Sequence, residues 1–214
     1  MNQSPLVHTL PVGPLQCNCS IVIDPETREA LVIDPGGDAD RILTALAKEG
    51  ARAVALLHTH AHFDHILGTA EVARVTQAPA RLHPGDRPLY DSLPDQAAAF
   101  GFRADPPAPL GPPLAHDEVV GFGSFRVRAI HTPGHTPGST SFLLETEKPV
   151  LFAGDTLFRR SIGRTDLWGG DTDQILDSIK ARLYTLPDET PVVCGHGPGT
   201  TVGEEKRSNP FVRG

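Results

Sequence analysis

The sequence predicts an α/β fold in which two sheets are covered by helices, rather than one doubly wound parallel sheet. Short β-branched runs stand at both ends of the chain. A helical middle, opened by a histidine-rich turn, separates them. The 214 residues contain no internal repeat, charge block or linker, so one domain is expected over 1–214.

The elements follow in order. Residues 19–24 (CSIVID) and 30–34 (ALVID) read as a hairpin. Asp34-Pro35-Gly36-Gly37 is turn chemistry, and Asp38 stands where a helix cap belongs. Ile42, Leu43, Leu46 and Ala47 then recur at helical spacing to about Glu49, with Gly50 as the stop. Residues 53–57 (AVALL) form a buried strand that runs into a histidine-rich stretch, 58–65. A helix is expected from about Asp64 to Gln77, and 80–82 is a small strand. Residues 84–113 are rich in Pro, Ala and Asp with little periodicity, which fits either a mobile cover or a loosely helical excursion. Strands return at 119–122, 125–130, 140–144 and 150–152. An amphipathic helix over 171–186, capped by Asp171 or Thr172, precedes a last strand at 191–194.

Composition narrows the function. The net charge of −7, from 19 basic and 26 acidic residues, lacks the basic footprint of a nucleic-acid binder. No apolar run approaches the ~18 residues of a membrane helix, and no leader is read before Leu15. Three cysteines cannot build a disulfide framework and suit a reducing compartment, so the cytoplasm is expected.

The chemistry concentrates in Thr59-His60-Ala61-His62-Phe63-Asp64-His65. His60 and His62 stand two apart, so an extended chain turns both to one side. Asp64 and His65 open the next helix and approach from another direction. Imidazole and carboxylate are the donors that zinc and neighbouring divalent metals take. A histidine-rich loop without metal is the alternative, but this one joins the end of a buried strand to a helix. Three more candidates have strand-end positions: His135 in a Gly/Pro-punctuated loop, Asp155 after VLFAG, and His196 after PVVCG. His60, His62, Asp64, His65, His135, Asp155 and His196 make seven ligands. A structural zinc needs four, whereas seven suit two metals about 3.5–4 Å apart with a bridging carboxylate.

The H-x-H-x-D-H run, the TPGHTPGS loop and the GD and GHG turns resemble the metallo-β-lactamase superfamily. The resemblance is greatest to its short, single-domain glyoxalase II-like hydrolases, and it runs from Asn18-Cys19-Ser20 to Asn209-Pro210-Phe211. It implies a four-layer αβ/βα sandwich with two divalent metals at one edge, zinc first, with iron and manganese as other occupants. It implies that His60, His62 and His135 hold one metal, that Asp64, His65 and His196 hold the other, and that Asp155 bridges them. The implied reaction is hydrolysis of a small-molecule thioester such as S-lactoylglutathione by a metal-bridging hydroxide, with Asp64 orienting the nucleophile. A thiolate leaving group, of parent pKa about 8.5, needs little help from an acid.

Arg164 matches a carrier-binding lysine of the glyoxalase II enzymes and is the candidate substrate-binding residue; its alternative role is to brace the loop through Asp166. Only 18 residues follow His196, so the C-terminal helical domain of the larger enzymes is expected to be missing. Gly163-Arg164-Thr165-Asp166 also resembles the mononuclear iron persulfide dioxygenases of the same fold. The Gly-Pro-Gly-Thr after His196 favours the hydrolases. A lactonase or other ester hydrolase is the further alternative. His58 and His131 are expected to pack or support a ligand. His8, His83 and His116 are expected at the surface, Cys194 as a small buried hydrophobe, and Trp168 and Phe158 at the substrate mouth or in the core.

Overall fold

The structure, a computed structural model, describes residues 4–214. The first three residues of the expected domain, where no leader is expected, lie outside the described residues. One sheet runs β1-β2-β3-β4-β5: β1 (Leu6–Val12), β2 (Cys17–Ile23), β3 (Glu29–Ile33), β4 (Arg52–Leu57) and β5 (Ala80–Arg81). The expected hairpin is present, with β2 antiparallel to β3; β3, β4 and β5 then run parallel. β1, at the sheet edge, was not read from the sequence. The parallel crossovers carry α1 (Ala39–Lys48) and, after β4, α2 (Phe63–Ile66) and α3 (Thr69–Thr76).

The 84–113 stretch is helical in its first half. A 3₁₀ turn at Pro84–Asp86 leads into α4 (Arg87–Asp91) and α5 (Leu93–Ala99). The second sheet contains β6 (Val119–Phe122), β7 (Phe125–His131), β8 (Thr140–Leu144) and β9 (Val150–Gly154). A small ribbon, β10 (Leu157–Phe158) and β11 (Ser161–Ile162), follows, then α6 (Thr172–Ser178) with a π-helical turn at Ile179–Leu183. The chain ends with β12 (Pro191–Cys194), β13 (Thr200–Thr201) and α7 (Val202–Ser208). The order of the second sheet is β13-β12-β9-β8-β7-β6, with β12 parallel to β9.

Period-two alternation builds the layers. In β3, Leu31 and Ile33 face the second sheet and meet Phe122, Phe142 and Phe152. Ala30 and Val32 face outward and pack with Ile42, Leu46 and Val72 of α1 and α3. Beyond the second sheet, Leu143, Leu151 and Ala153 meet Ile175, Ile179 and Leu183. The result is helix–sheet–sheet–helix, the αβ/βα sandwich that the resemblance implied. Among the described residues no helix is long and apolar enough to cross a membrane.

Two local expectations are corrected. The helix expected over 64–77 is two helices. Gly68 lies between them, its N–H on Pro35 O at 2.8 Å, and a Cβ there would crowd that carbonyl. Asp38 precedes α1 but does not cap it through its side chain. It sits at φ 45°, and its carboxylate accepts from the backbone N–H of Gly13 (3.1 Å) and pairs with Arg41. Asp171 does cap α6, accepting from Gln174 N–H at 2.9 Å.

Candidate metal centre

The seven candidates meet at the edge between the sheets, where β4, β9 and β12 end. Donor atoms of His60, His62 and His135 lie within 4.8 Å of one another, and so do those of Asp64, His65 and His196. The H-x-H pair works as an extended chain should: His62 is in β conformation immediately before α2, and its ring stands edge-on to His60 and His135 (centroids 4.9 and 4.7 Å). Asp64 and His65 lie in the single turn of α2 and turn toward His196, whose Nε2 is 3.1 Å from Asp64 Oδ2 and from His65 Nε2.

Asp155 lies between the clusters. Its Oδ1 is 3.4 Å from His65 Nε2, and its Oδ2 is 3.7 Å from His135 Nε2 and 3.9 Å from His196 Nε2. Burial would push this carboxyl up, but His65, His135 and His196 outweigh it and hold it well below the usual carboxylate range. Burial, followed by the neighbouring imidazoles, pushes His60 well below 6.5; burial and His135 bring His62 to about 3. Both rings are therefore neutral, with a lone pair to offer.

The rings are oriented from behind. His135 Nδ1–H donates to Arg164 O at 2.7 Å, and His196 Nδ1–H donates to Leu15 O at 3.0 Å. His60 Nδ1 lies 3.0 Å from the Thr59 hydroxyl, which donates to Asp34 Oδ2. His65 Nδ1 lies 3.0 Å from the same Asp34 oxygen. Four rings thus spend Nδ1 outward and turn Nε2 to the centre, the usual support of metal-ligating histidine. Among the buried side-chain atoms, His60 Nε2, His135 Nε2 and Asp155 Oδ1 have no hydrogen-bond partner. Buried polar atoms left without partners are costly, and a cation among them would satisfy all three. The donor set therefore fits the implied metals.

The model of one family, described as the metallo-beta-lactamase superfamily, matches residues 12–196. The chain belongs to the metallo-β-lactamase superfamily. A hydroxyacylglutathione hydrolase, GloC, from Haemophilus influenzae is 38% identical over 96% of this chain and 97% of its own. The crystal structure of BLEG-1 B3 metallo-β-lactamase is 39% identical with a TM-score of 0.90, covering 98% of this chain and 100% of that one. The crystal structure of TTHA1623 in a di-iron-bound form is 40% identical, with a TM-score of 0.87 and coverage of 96% and 100%. This chain is accordingly a metal-dependent hydrolase of that superfamily.

Several residues that position this superfamily site went unread in the sequence. Asp34 reads as turn chemistry in the sequence, yet it follows a strand as Asp155 does, and that shared pattern is the available signal. Asn18 Nδ2 donates to Cys194 O and Gly197 O, both at 2.9 Å, and so holds the turn that carries His196. Asp86, in the stretch without periodicity, accepts from Ala61 N–H, Thr136 O–H and Gly138 N–H. Gly195 is required by close approach: a Cβ there would collide with Asp155 Oδ1.

Of the remaining candidates, Arg164 makes a bidentate pair with Asp166, both contacts 2.8 Å, at the exposed rim of the site. Trp168 lines the mouth, whereas Phe158 packs against the core. His58 is fully buried. His83 is not a surface residue as expected: it is half-buried, its ring stacked on His131 at 3.9 Å. Cys194 is buried, and burial pushes its thiol up to about 12.

Proposed function

We propose that the chain hydrolyses thioesters of the S-lactoylglutathione type at a dinuclear metal centre. His60, His62 and His135 would hold one cation, Asp64, His65 and His196 the other, with Asp155 between them. One observation carries this reading: the two oxygens of Asp155 face histidines of two separate donor clusters. The similarity to the hydroxyacylglutathione hydrolase GloC of Haemophilus influenzae supports the substrate class. Zinc is the metal proposed on the His/Asp donor set; the di-iron-bound form of TTHA1623 makes iron the second to test.

Bound divalent cations supply Lewis acidity and lower the pKa of a coordinated water toward 7. The chain's own residues do the rest. Burial would raise the Asp64 carboxyl, but His65 and His196 hold it below its ordinary value. It stays ionised and accepts a proton or hydrogen bond from the attacking water. The outward Nδ1–H bonds of His135 and His196 keep the imidazoles from swinging as charge develops. The leaving thiolate needs little help from a proton donor. The three cysteines are free and buried, and we assign the enzyme to the cytoplasm on that chemistry.

A second reading, β-lactam hydrolysis, has the similarity to BLEG-1 B3 metallo-β-lactamase in its favour. Elemental analysis with one substrate panel separates the readings. Two metals per chain and turnover of S-lactoylglutathione are expected. Turnover of a penicillin alone would favour the second reading. One iron per chain with persulfide-dependent oxygen uptake would replace both with the dioxygenase.

A further inference from the structure

The cavity above the centre is about 360 Å³, within the range of small-molecule sites. Its floor includes His62, Asp64, His135, Asp155 and His196. Its walls are apolar and come from four parts of the chain: Leu15 from the β1–β2 turn, Phe63 from α2, Leu89 and Phe100 from the α4–α5 segment, and Leu167 and Trp168 from the loop before α6. Phe100 and Trp168 are each 56% exposed, at a place where water would otherwise wet large rings. Phe100 is held there. It stacks on Phe63 (centroids 4.9 Å, 28°), which is itself buried and adjoins Asp64 in the ligand motif. The aromatic wall is thus anchored to the same turn that carries two candidate ligands.

The polar groups of this wall are mostly engaged within the protein. The Gln96 amide donates to Ala61 O and Leu89 O and accepts from Phe63 N–H. Arg164 alone among the lining residues is basic other than histidine, and its Nε and Nη2 pair with Asp166, which leaves Nη1 as the one basic group at the rim. A charged carrier finds little on this wall to bind, whereas a hydrocarbon chain finds several rings.

We propose that this wall is an acyl-chain subsite, and that the enzyme prefers thioesters whose acyl group is a hydrocarbon chain of several carbons over those with a short hydroxyacyl group. The proposal rests on the thioester reading above and narrows its substrate class. The acyl chain lies along Phe100 and Trp168 with its carbonyl over the donor clusters, and the carrier extends past Arg164 toward solvent.

The test uses the metal-loaded enzyme and a ladder of glutathione thioesters: lactoyl, acetyl, butanoyl, hexanoyl and octanoyl. From acetyl to octanoyl, kcat/KM should rise roughly two- to four-fold per added methylene, and Trp168→Ala and Phe100→Ala should each flatten that rise. A flat or falling ladder overturns the proposal while leaving thioester hydrolysis standing. Trp168 is the only tryptophan of the chain, so its fluorescence reports the groove independently of turnover. Titration with non-hydrolysable S-alkylglutathiones of matching length should give Kd values that fall with chain length. If no thioester is turned over, the thioester reading fails and this titration still decides the subsite: length-dependent Kd values uphold it, and length-independent ones overturn it.

Discussion

The Thr136 hydroxyl donates to Asp86 Oδ2 over 2.8 Å, and through that contact the loop carrying His135 is tied to the loop carrying His60 and His62. The same Asp86 oxygen accepts Ala61 N–H at 3.0 Å, between the two histidines, and Oδ1 accepts Gly138 N–H. All of these groups are buried. Asp86→Ala is expected to weaken metal binding about 10- to 100-fold, as loss of an outer support does. It should also leave buried donors unpaired, at about 1–3 kcal/mol each. Chelator competition and urea unfolding read the two effects. Asp86→Asn keeps one acceptor oxygen and should fall between; metal affinity equal to the parent in Asp86→Ala would remove Asp86 from the site.

Asp34 holds His65 and Thr59 with one oxygen. Asp34→Ala should free the His65 ring and lower occupancy of the cluster formed by Asp64, His65 and His196 more than that of the other cluster. Metal stoichiometry after dialysis against graded chelator would show the asymmetry. Equal loss from both clusters would mean that Asp34 acts only on folding.

Gly195 and Asp155 form a steric pair, because a methyl at 195 would occupy the space of the carboxylate. Gly195→Ala should displace the proposed bridge, Asp155, and reduce metal content, and Asp155→Ala should lose both metals or their coupling. In the double variant the methyl no longer meets the carboxylate, its nearest contact, though Gly154 C (2.9 Å) and His65 Cε1 (3.0 Å) still crowd it, so the two losses should be less than additive. Additive losses, or normal turnover with two metals in Asp155→Ala, would refute the bridging role.

His83 and His131 stack away from the metal centre, with His116 Nδ1 accepting from His131 N–H and Arg182 donating to His131 O. Burial, then His131 and His116, lower His83 to about 4 from its ordinary 6.5. The unfolded chain therefore takes up a proton here before the folded one does. The contribution of His83 to stability should fall as pH drops from about 6.5 to about 4 and level off below that. Thermal unfolding of metal-free protein across this range should show the slope, and His83→Gln should reduce it. An identical slope in the variant would place the acid sensitivity elsewhere.

His135, Asp155 and His196 are legible because each follows a strand with a glycine just before it, and His60, His62, Asp64 and His65 because they crowd into one short run after a strand; strand ends gather at one sheet edge. The layers were legible because the alternation in 30–33 survives unchanged in the folded chain. Three features were not. α4 and α5 are short and bury only a few side chains each, so they leave no sustained period to read. The break at Gly68 comes from the Pro35 carbonyl, which is more than thirty residues away. β1 is an edge strand with mostly half-buried positions and a proline, so it lacks a clean pattern.

By itself the sequence determined the donor types, their order along the chain and the two-sheet frame, since all three follow from local pattern and residue chemistry. The tertiary structure alone decided that Asp155 faces both donor clusters, that Asp34 and Asp86 brace the ligand loops, and that Phe100 and Trp168 wall one cavity. Those relations join residues that are distant in the chain, and only packing the two sheets face to face brings them within contact range.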